Sequence, residues 1–407
     1  GAWWGPAWWI WSGLLVWLFA KRIWKLGKER GYITLMDYFY DRYGSMLPSI
    51  VAAILSIVFL VPYVVPQIMG FGYLLNLITG LPYLYCIIIP AIIAIIYVTL
   101  GGIRSVVWTD VVQGGIQFFG WTLAMAIIFF AVGGWATFHK AAIETPELFE
   151  WPGPVGLVTP QFWLSMACLC MMWTLVNPHT WRVWFAAKSL RTLKFMFCVY
   201  TIVQYYVAVP AILVGIPGRV MIPGLSKLEA DKIFPLMLLK YAPAWLWIIM
   251  FTAGVAAAMN TMDTQMLAAS SMATRDLVQR LKPVISPKIL VLTARILVVV
   301  LALISLYFAW IRPAMISLIG AMAMAGFSLM LPSIIGGFLW RRGTKWGVTL
   351  SLICGVIVLF YTHYIHKIYG FHGVVWGLLT ATIVYIVVSL LTKPPPKEVI
   401  SRFVEKK

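Results

Sequence analysis

Eleven long apolar blocks leave this chain one kind of fold. They fall at residues 3–24, 46–78, 82–100, 109–133, 161–185, 190–217, 244–274, 289–311, 313–340, 347–363 and 371–391. About 20 apolar residues in a helix cross the hydrocarbon core of a bilayer. Only helices and closed barrels satisfy their backbone groups there. The blocks are continuous and do not alternate, so they predict an all-α, polytopic membrane protein forming a single transmembrane domain over residues 1–407. The composition leaves no soluble reading: 62% of residues are hydrophobic and 11% charged, against about a quarter charged in soluble domains. Gly5-Pro6 and Gly13 interrupt the first block. The second carries Pro62, Pro66, Gly70 and Gly72 and exceeds 30 residues, which predicts a tilted or bent helix.

Charge placement orients the bundle. With the connections alternating between two sides, 23 Lys and Arg residues fall on one side and 7 on the other, with Arg295 inside a span. The richer side is expected to be cytoplasmic, and the C-terminus with it. The net charge of +18 follows from this bias. No basic cluster sits in a nucleic-acid module, so no nucleic-acid partner is implied. The basic tail, 393–407, reads either as a lipid-touching segment or as a disordered end. The five cysteines lie in apolar segments with no metal-ligand spacing. Gly1 stands where Met is expected, at the edge of a span, which suggests an N-terminally incomplete chain.

Asp263 is the one acidic side chain well inside an apolar block. A carboxylate there is costly and is kept for ion binding, proton transfer or helix pairing. Asn260, Thr261 and Thr264 lie within two turns of it, and their oxygens could form part of a shell for a small hard cation. The competing reading has the threonine hydroxyls bonded back to the helix and Asp263 paired with Arg295. Asn177-Pro178 in the fifth block predicts an interrupted helix, and such breaks line cavities or are buried in protein. Met172, Trp173, Thr174 and Asn177 are therefore candidate substrate-lining residues. His179 and Arg182 read either as gating groups or as side chains reaching headgroups beyond a proline kink. In the second block Tyr63, Gln67 and Gly70 share one helical face, either a packing surface or a solute-facing stripe. Gly101-Gly102 is expected to end one helix and Thr109 or Asp110 to cap the next, with gating the other role open to Asp110.

Four stretches together resemble the sodium:solute symporter family. They are GYITLMDYF with DRYG (31–39, 41–44), YVTLGGIRSVVWTDVVQ (97–113), Asn177-Pro178-His179 with Arg182 and AAKS (186–189), and AAAMNTMDTQMLAASSMATRD (256–276). The resemblance implies a leucine-transporter-like fold of two inverted repeats. It also implies two further spans ahead of the first one here, one of them supplying backbone carbonyls to the sodium and substrate sites. The family's sodium-site hydroxyl pair falls on Asn260 and Thr261, where Asn260 replaces the usual serine. The resemblance therefore implies cation-coupled symport of a small organic solute, a monocarboxylate or amino acid, across the plasma membrane by alternating access. Na+ is the expected coupling ion and H+, through Asp263, the alternative. No organic cofactor is expected. A channel and a solute-sensing receptor are the other classes. No nucleophile–base set supports an enzyme.

Overall fold

The computed structural model describes residues 4–403 apart from 151, 154–155, 157, 227–228 and 283. Side chains at 4–12, 14, 94, 97, 100–107, 109, 201, 204–205 and 207 are also outside the description. The expected cap at Thr109 and the charges on Arg104 and Lys227 lie outside the described residues.

The chain is a multi-pass helical membrane protein. In order it forms α1 (Trp4–Arg30), α2 (Leu35–Tyr43), α3 (Met46–Thr79), α4 (Tyr83–Ala131), α5 (Gly134–Glu144), α6 (Pro160–Val176), α7 (Pro178–Ala186) and α8 (Leu190–Met221). There follow α9 (Ile233–Tyr241), α10 (Ala244–Ser271), α11 (Pro287–Ile311), α12 (Ile316–Ser328), α13 (Leu331–Leu339), α14 (Lys345–Phe360), α15 (Gly373–Leu391) and α16 (Lys397–Phe403). Among the described residues seven helices are long and apolar enough to cross a membrane alone. The other four expected spans are helical as well. Gly5-Pro6 and Gly13 do not interrupt α1, because Pro near a helix start removes an N–H that has no intrahelical partner.

The expected stop at Gly101-Gly102 is absent, and helical backbone runs through α4 for 49 residues. Straight, it would be about 74 Å long. It folds back instead. Tyr83 packs on Tyr73 of α3, with ring centroids 5.3 Å apart. Gly120, 37 residues on, abuts Ala253 of α10, while Leu74 of α3 abuts the adjacent Gly254. Both ends of α4 therefore sit at the level of Tyr73 and Leu74. The two expected spans survive as arms of one helical element.

α3 is the central post, packed by α4, α10, α11, α12 and α14. Close approach to α12 depends on Gly326, where a Cβ would land in the ring of buried Phe59. α2 is a wedge against α13. Its Tyr38, Arg42 and Tyr43 donate to the backbone oxygens of Ile334 (2.8 Å), Gly337 (2.7 Å), Trp340 (2.9 Å) and Ser333 (2.5 Å) of α13 and its C-terminal end. The last carbonyls of a helix lack intrahelical partners, and Arg42 supplies those of Gly337 and Trp340. At the outer end, the Asp231 carboxylate accepts the Ile316 N–H that opens α12 (2.9 Å). Burial pushes Asp231 above the usual carboxylate range, and that N–H pulls it partly back.

The tail is not free. α16 lays Phe403 edge-on against Tyr38 (5.8 Å) and buries it, and Arg402 approaches Asp41 at 3.9 Å. Val399 and Ile400 pack against the core beside Phe403, so three apolar residues dock the described part of the tail.

Arg42 is fully buried and bonded to carbonyls alone. Arg42→Leu should therefore lower stability by about 2–4 kcal/mol, through the carbonyls it leaves unpaired. Thermal unfolding of the purified protein should show a lower midpoint, while Arg341→Leu on the exposed surface leaves the midpoint in place.

Candidate functional site

The helix break is complete. Pro178 opens α7, and Asn177 between the two helices is extended (φ −73°, ψ 119°). A proline at the first position of a helix lacks only an N–H that would have had no partner. Asn177 caps α7, its Oδ1 accepting the His179 N–H at 3.0 Å. The Trp181 indole N–H donates back across the break to the Leu175 carbonyl at 2.7 Å. A mere proline kink is thereby excluded.

Above the break, Trp173 is half-buried and stacks on Tyr63 of α3, with centroids 5.1 Å apart and rings 23° from parallel. Its other neighbour is Phe327 of α12 at 5.9 Å. Tyr63, Gln67 and Gly70 are half-buried, whereas Val64–Pro66, Ile68 and Met69 are buried. The stripe read from the sequence is thus the open face of α3. Gly70 adds room, since a Cβ there would meet only Ile316, at 3.9 Å. Met172, Thr174 and Asn177 are buried, Met172 within the main core. Trp173 is the member of the 172–174 group that meets the open face of α3.

The cation candidates lie on α10 where it packs on α4. The Asn260 amide donates to the Asp110 backbone carbonyl at 3.4 Å. The Thr264 hydroxyl turns back onto its own helix, donating to the carbonyls of Asn260 (3.0 Å) and Thr261 (3.1 Å). Its lone pairs stay free to accept, but its proton is committed. Thr261 is half-buried. Asp263 is completely buried, and neither carboxylate oxygen has a hydrogen-bond partner. The expected pair with Arg295 is not formed. Arg295 is exposed near the inner end of α11, one turn before Val298, the first fully buried residue of that helix. Asp110 Oδ1 and Gln113 Oε1 of α4 and Gln265 Oε1 of α10 are also buried without donors. Asp110 meets Asn260, about one turn from Asp263, through its backbone carbonyl. Among the described residues these buried oxygen acceptors, on two helices that pack together, have no cationic partner. Among the described residues no group of three or more His, Cys, Asp or Glu side chains could hold a metal ion. Such oxygens suit a small hard cation and not a zinc-type ion.

On α7, His179 and Arg182 share a face and are half-buried, with His179 Nδ1 enclosed and unpaired. Phe327, Gln113 and Gln265 were not singled out from the sequence. A phenylalanine in an apolar helix carries no local signal. The amides could have been noticed as costly polar groups in membrane spans.

The profile of the sodium:solute symporter family matches residues 3–355. A sodium/pantothenate symporter of Haemophilus influenzae is 27% identical over 382 residues, covering 92% of this chain and 78% of the relative. A sodium/proline symporter of the same organism is 26% identical, covering 97% and 83%. An osmoregulated proline transporter of Bacillus subtilis is also 26% identical, covering 96% and 82%. Among solved structures, a substrate-bound, outward-open Na+-coupled sialic acid symporter superposes with a TM-score of 0.76 at 18% identity, covering 97% of this chain and 87% of that one. The leucine-transporter-like fold implied by the sequence resemblance is thereby shown.

Asn177→Ala removes the cap of α7 and should cost about 1 kcal/mol of stability. Asn177→Asp keeps the acceptor oxygen and should retain the cap. Thermal midpoints of the purified variants check the order.

Proposed function

The chain belongs to the sodium:solute symporter family, and from that premise we propose that it couples Na+ entry to uptake of a small organic solute across the cell membrane by alternating access. Its matched relatives are transporters, not enzymes. The observation that carries the proposal is the buried acceptor set of Asp263, Asp110, Gln113 and Gln265, with Asn260, Thr261 and Thr264 beside it. Acceptors without donors in a low-dielectric interior are costly. A bound Na+ supplies the missing positive charge, and Thr261 has a hydroxyl to offer it. Asp263 neutralises most of that charge, and Asp110 and the amides complete the polar surroundings.

The solute is placed beside the break, against Tyr63, Trp173 and the Gln67–Gly70 face. An aromatic wall with one amide suits a compact solute with an apolar body, and the named relatives for proline and pantothenate point to a monocarboxylate or amino acid. His179 and Arg182, on the inner half-helix, stand where such a carboxylate would pass on release. Na+ and solute stabilise the same outward-facing state, so each raises the affinity for the other by the same factor. Coupling energy comes from the ion gradient, and the basic C-terminal side faces the cytoplasm.

Proton coupling is the second reading, favoured by the absence of any cationic partner for Asp263. The test is uptake into proteoliposomes of labelled proline, pantothenate and short monocarboxylates. Transport should need inward Na+ and survive collapse of the pH gradient. Transport indifferent to Na+ but abolished by that collapse would establish the proton instead. Thr261→Ala should raise the Na+ concentration for half-maximal uptake by about tenfold, the loss of one charge-assisted contact. Trp173→Ala should raise the solute KM with little change in Na+ dependence. An unchanged Na+ requirement in Thr261→Ala would place the ion elsewhere.

A further inference from the structure

α10 does not end as an α-helix. From Met272 to Gln279 the backbone widens into a π-helical run. That run carries Arg275 and Asp276, and Arg280 follows directly. Across from it stands the first turn of α2. Asp37 there accepts the backbone N–H groups of Ile33 (2.8 Å) and Thr34 (3.0 Å) through Oδ2. Its Oδ1 lies 2.6 Å from Arg280 Nη2, and Arg275 Nη2 approaches Oδ2 at 3.5 Å. Arg280 also lies 3.0 Å from Asp276 Oδ1, and the Thr34 hydroxyl donates to Asp276 Oδ2 at 2.9 Å. The Arg280 guanidinium sits over the Tyr40 ring, 4.7 Å from its centre.

This is not a surface ion pair. The Asp37 and Arg280 side chains keep 10% and 12% of their exposure, and Asp276 none. Parting α2 from this end takes Asp37 from both arginines and leaves Arg275 unpaired, while Arg280 keeps Asp276, so separation costs the Asp37 contacts together. Its position matters. α7, the inner half of the broken helix, packs on both α2 and α10. α7 therefore lies beside the place where α2 meets the end of α10. π-helical turns are rare and concentrate at functional sites. Returning this one to α geometry would shift everything beyond it by one residue, a rotation of about 100°. That rotation carries Arg280 off Asp37.

We propose that Asp37 and Arg280 form the latch of the inner gate: the pair holds α2 against the end of α10 while the cytoplasmic exit is shut, and it parts for release. This rests on the transport reading above and adds to it the contact that governs the inner side.

The test uses the full chain with its five cysteines replaced by serine and Thr180→Cys on α7 as reporter. A membrane-impermeant maleimide labels it in vesicles of either orientation. Asp37→Asn keeps an acceptor oxygen for the Ile33 and Thr34 N–H groups while removing the charge, and Arg280→Gln removes the other. Each should speed labelling from the inner face by about tenfold, with no gain from the outer face. The double variant should fall short of the product of the two effects. Arg280→Lys, which keeps the charge, should label close to the parent rate. Unchanged inner labelling, effects that multiply, or equal gains from both faces, the mark of general loosening, would overturn the latch. Labelling needs neither Na+ nor solute, so its failure leaves the symport reading standing, and failure of Na+-driven uptake leaves a positive labelling result intact.

Discussion

The break between Val176 and Asn177 is the constraint on which the rest of the site depends. A backbone interrupted inside a bilayer must find partners within the protein. Here the partners are local. The Asn177 side chain takes the His179 N–H, and the Trp181 indole N–H serves the Leu175 carbonyl. The break is closed by residues within one turn of it, so the two half-helices are free to pack differently. α6 lies on α1 and α12, whereas α7 meets α1, α2 and α10. One chain segment thereby presents Trp173 to Tyr63 on one side of the break and carries His179 and Arg182 on the other.

α10 treats its charges in opposite ways along its length. At mid-membrane Asp263 has no donor, and Asp110 and two glutamine oxygens beside this helix are likewise unpaired. At the inner end Asp276 and the facing Asp37 are each matched by arginine. Burial alone does not explain the difference, since Asp263 and Asp276 are both fully buried. An arginine was within two turns along α11 of supplying a mid-membrane partner, yet Arg295 stays at the exposed end. Unmatched acids fit a site that is to be neutralised by something that comes and goes. Matched ones fit a joint.

The sequence was most legible where the physics is local. Asn followed by Pro inside an apolar block dictates a capped break, and the Tyr63–Gln67–Gly70 spacing dictates one helical face. The acid at 263 was conspicuous for the same reason, since hydropathy alone marks it. What stayed hidden depends on distant partners. The Asp263–Arg295 expectation failed because complementary charge says nothing about depth in the membrane. The stop at Gly101-Gly102 failed because glycines lower helix propensity without forbidding helical backbone. Phe327 carries no mark of its place beside Trp173. The Asp37–Arg280 tie spans 243 positions, and each residue alone reads as an ordinary interfacial charge.

These features converge on α10 as the element that links the two ends of the cycle. It is packed on the post α3 along its length and on α4 at the acceptor set, so it cannot move at one place alone. The proposed cation position at Thr261 lies about 11 residues before the π-helical run, roughly 16 Å away along the axis. The run is the soft part of an otherwise regular rod, and α2, bonded to the end of α13, is the anchor on the other side of the latch. If the proposed ion site and the proposed latch are coupled through α10, reciprocal linkage requires that holding Arg280 on Asp37 raise ion affinity by the same factor by which the ion favours the closed latch. Ion departure and latch release would then be one equilibrium seen from two positions on one helix.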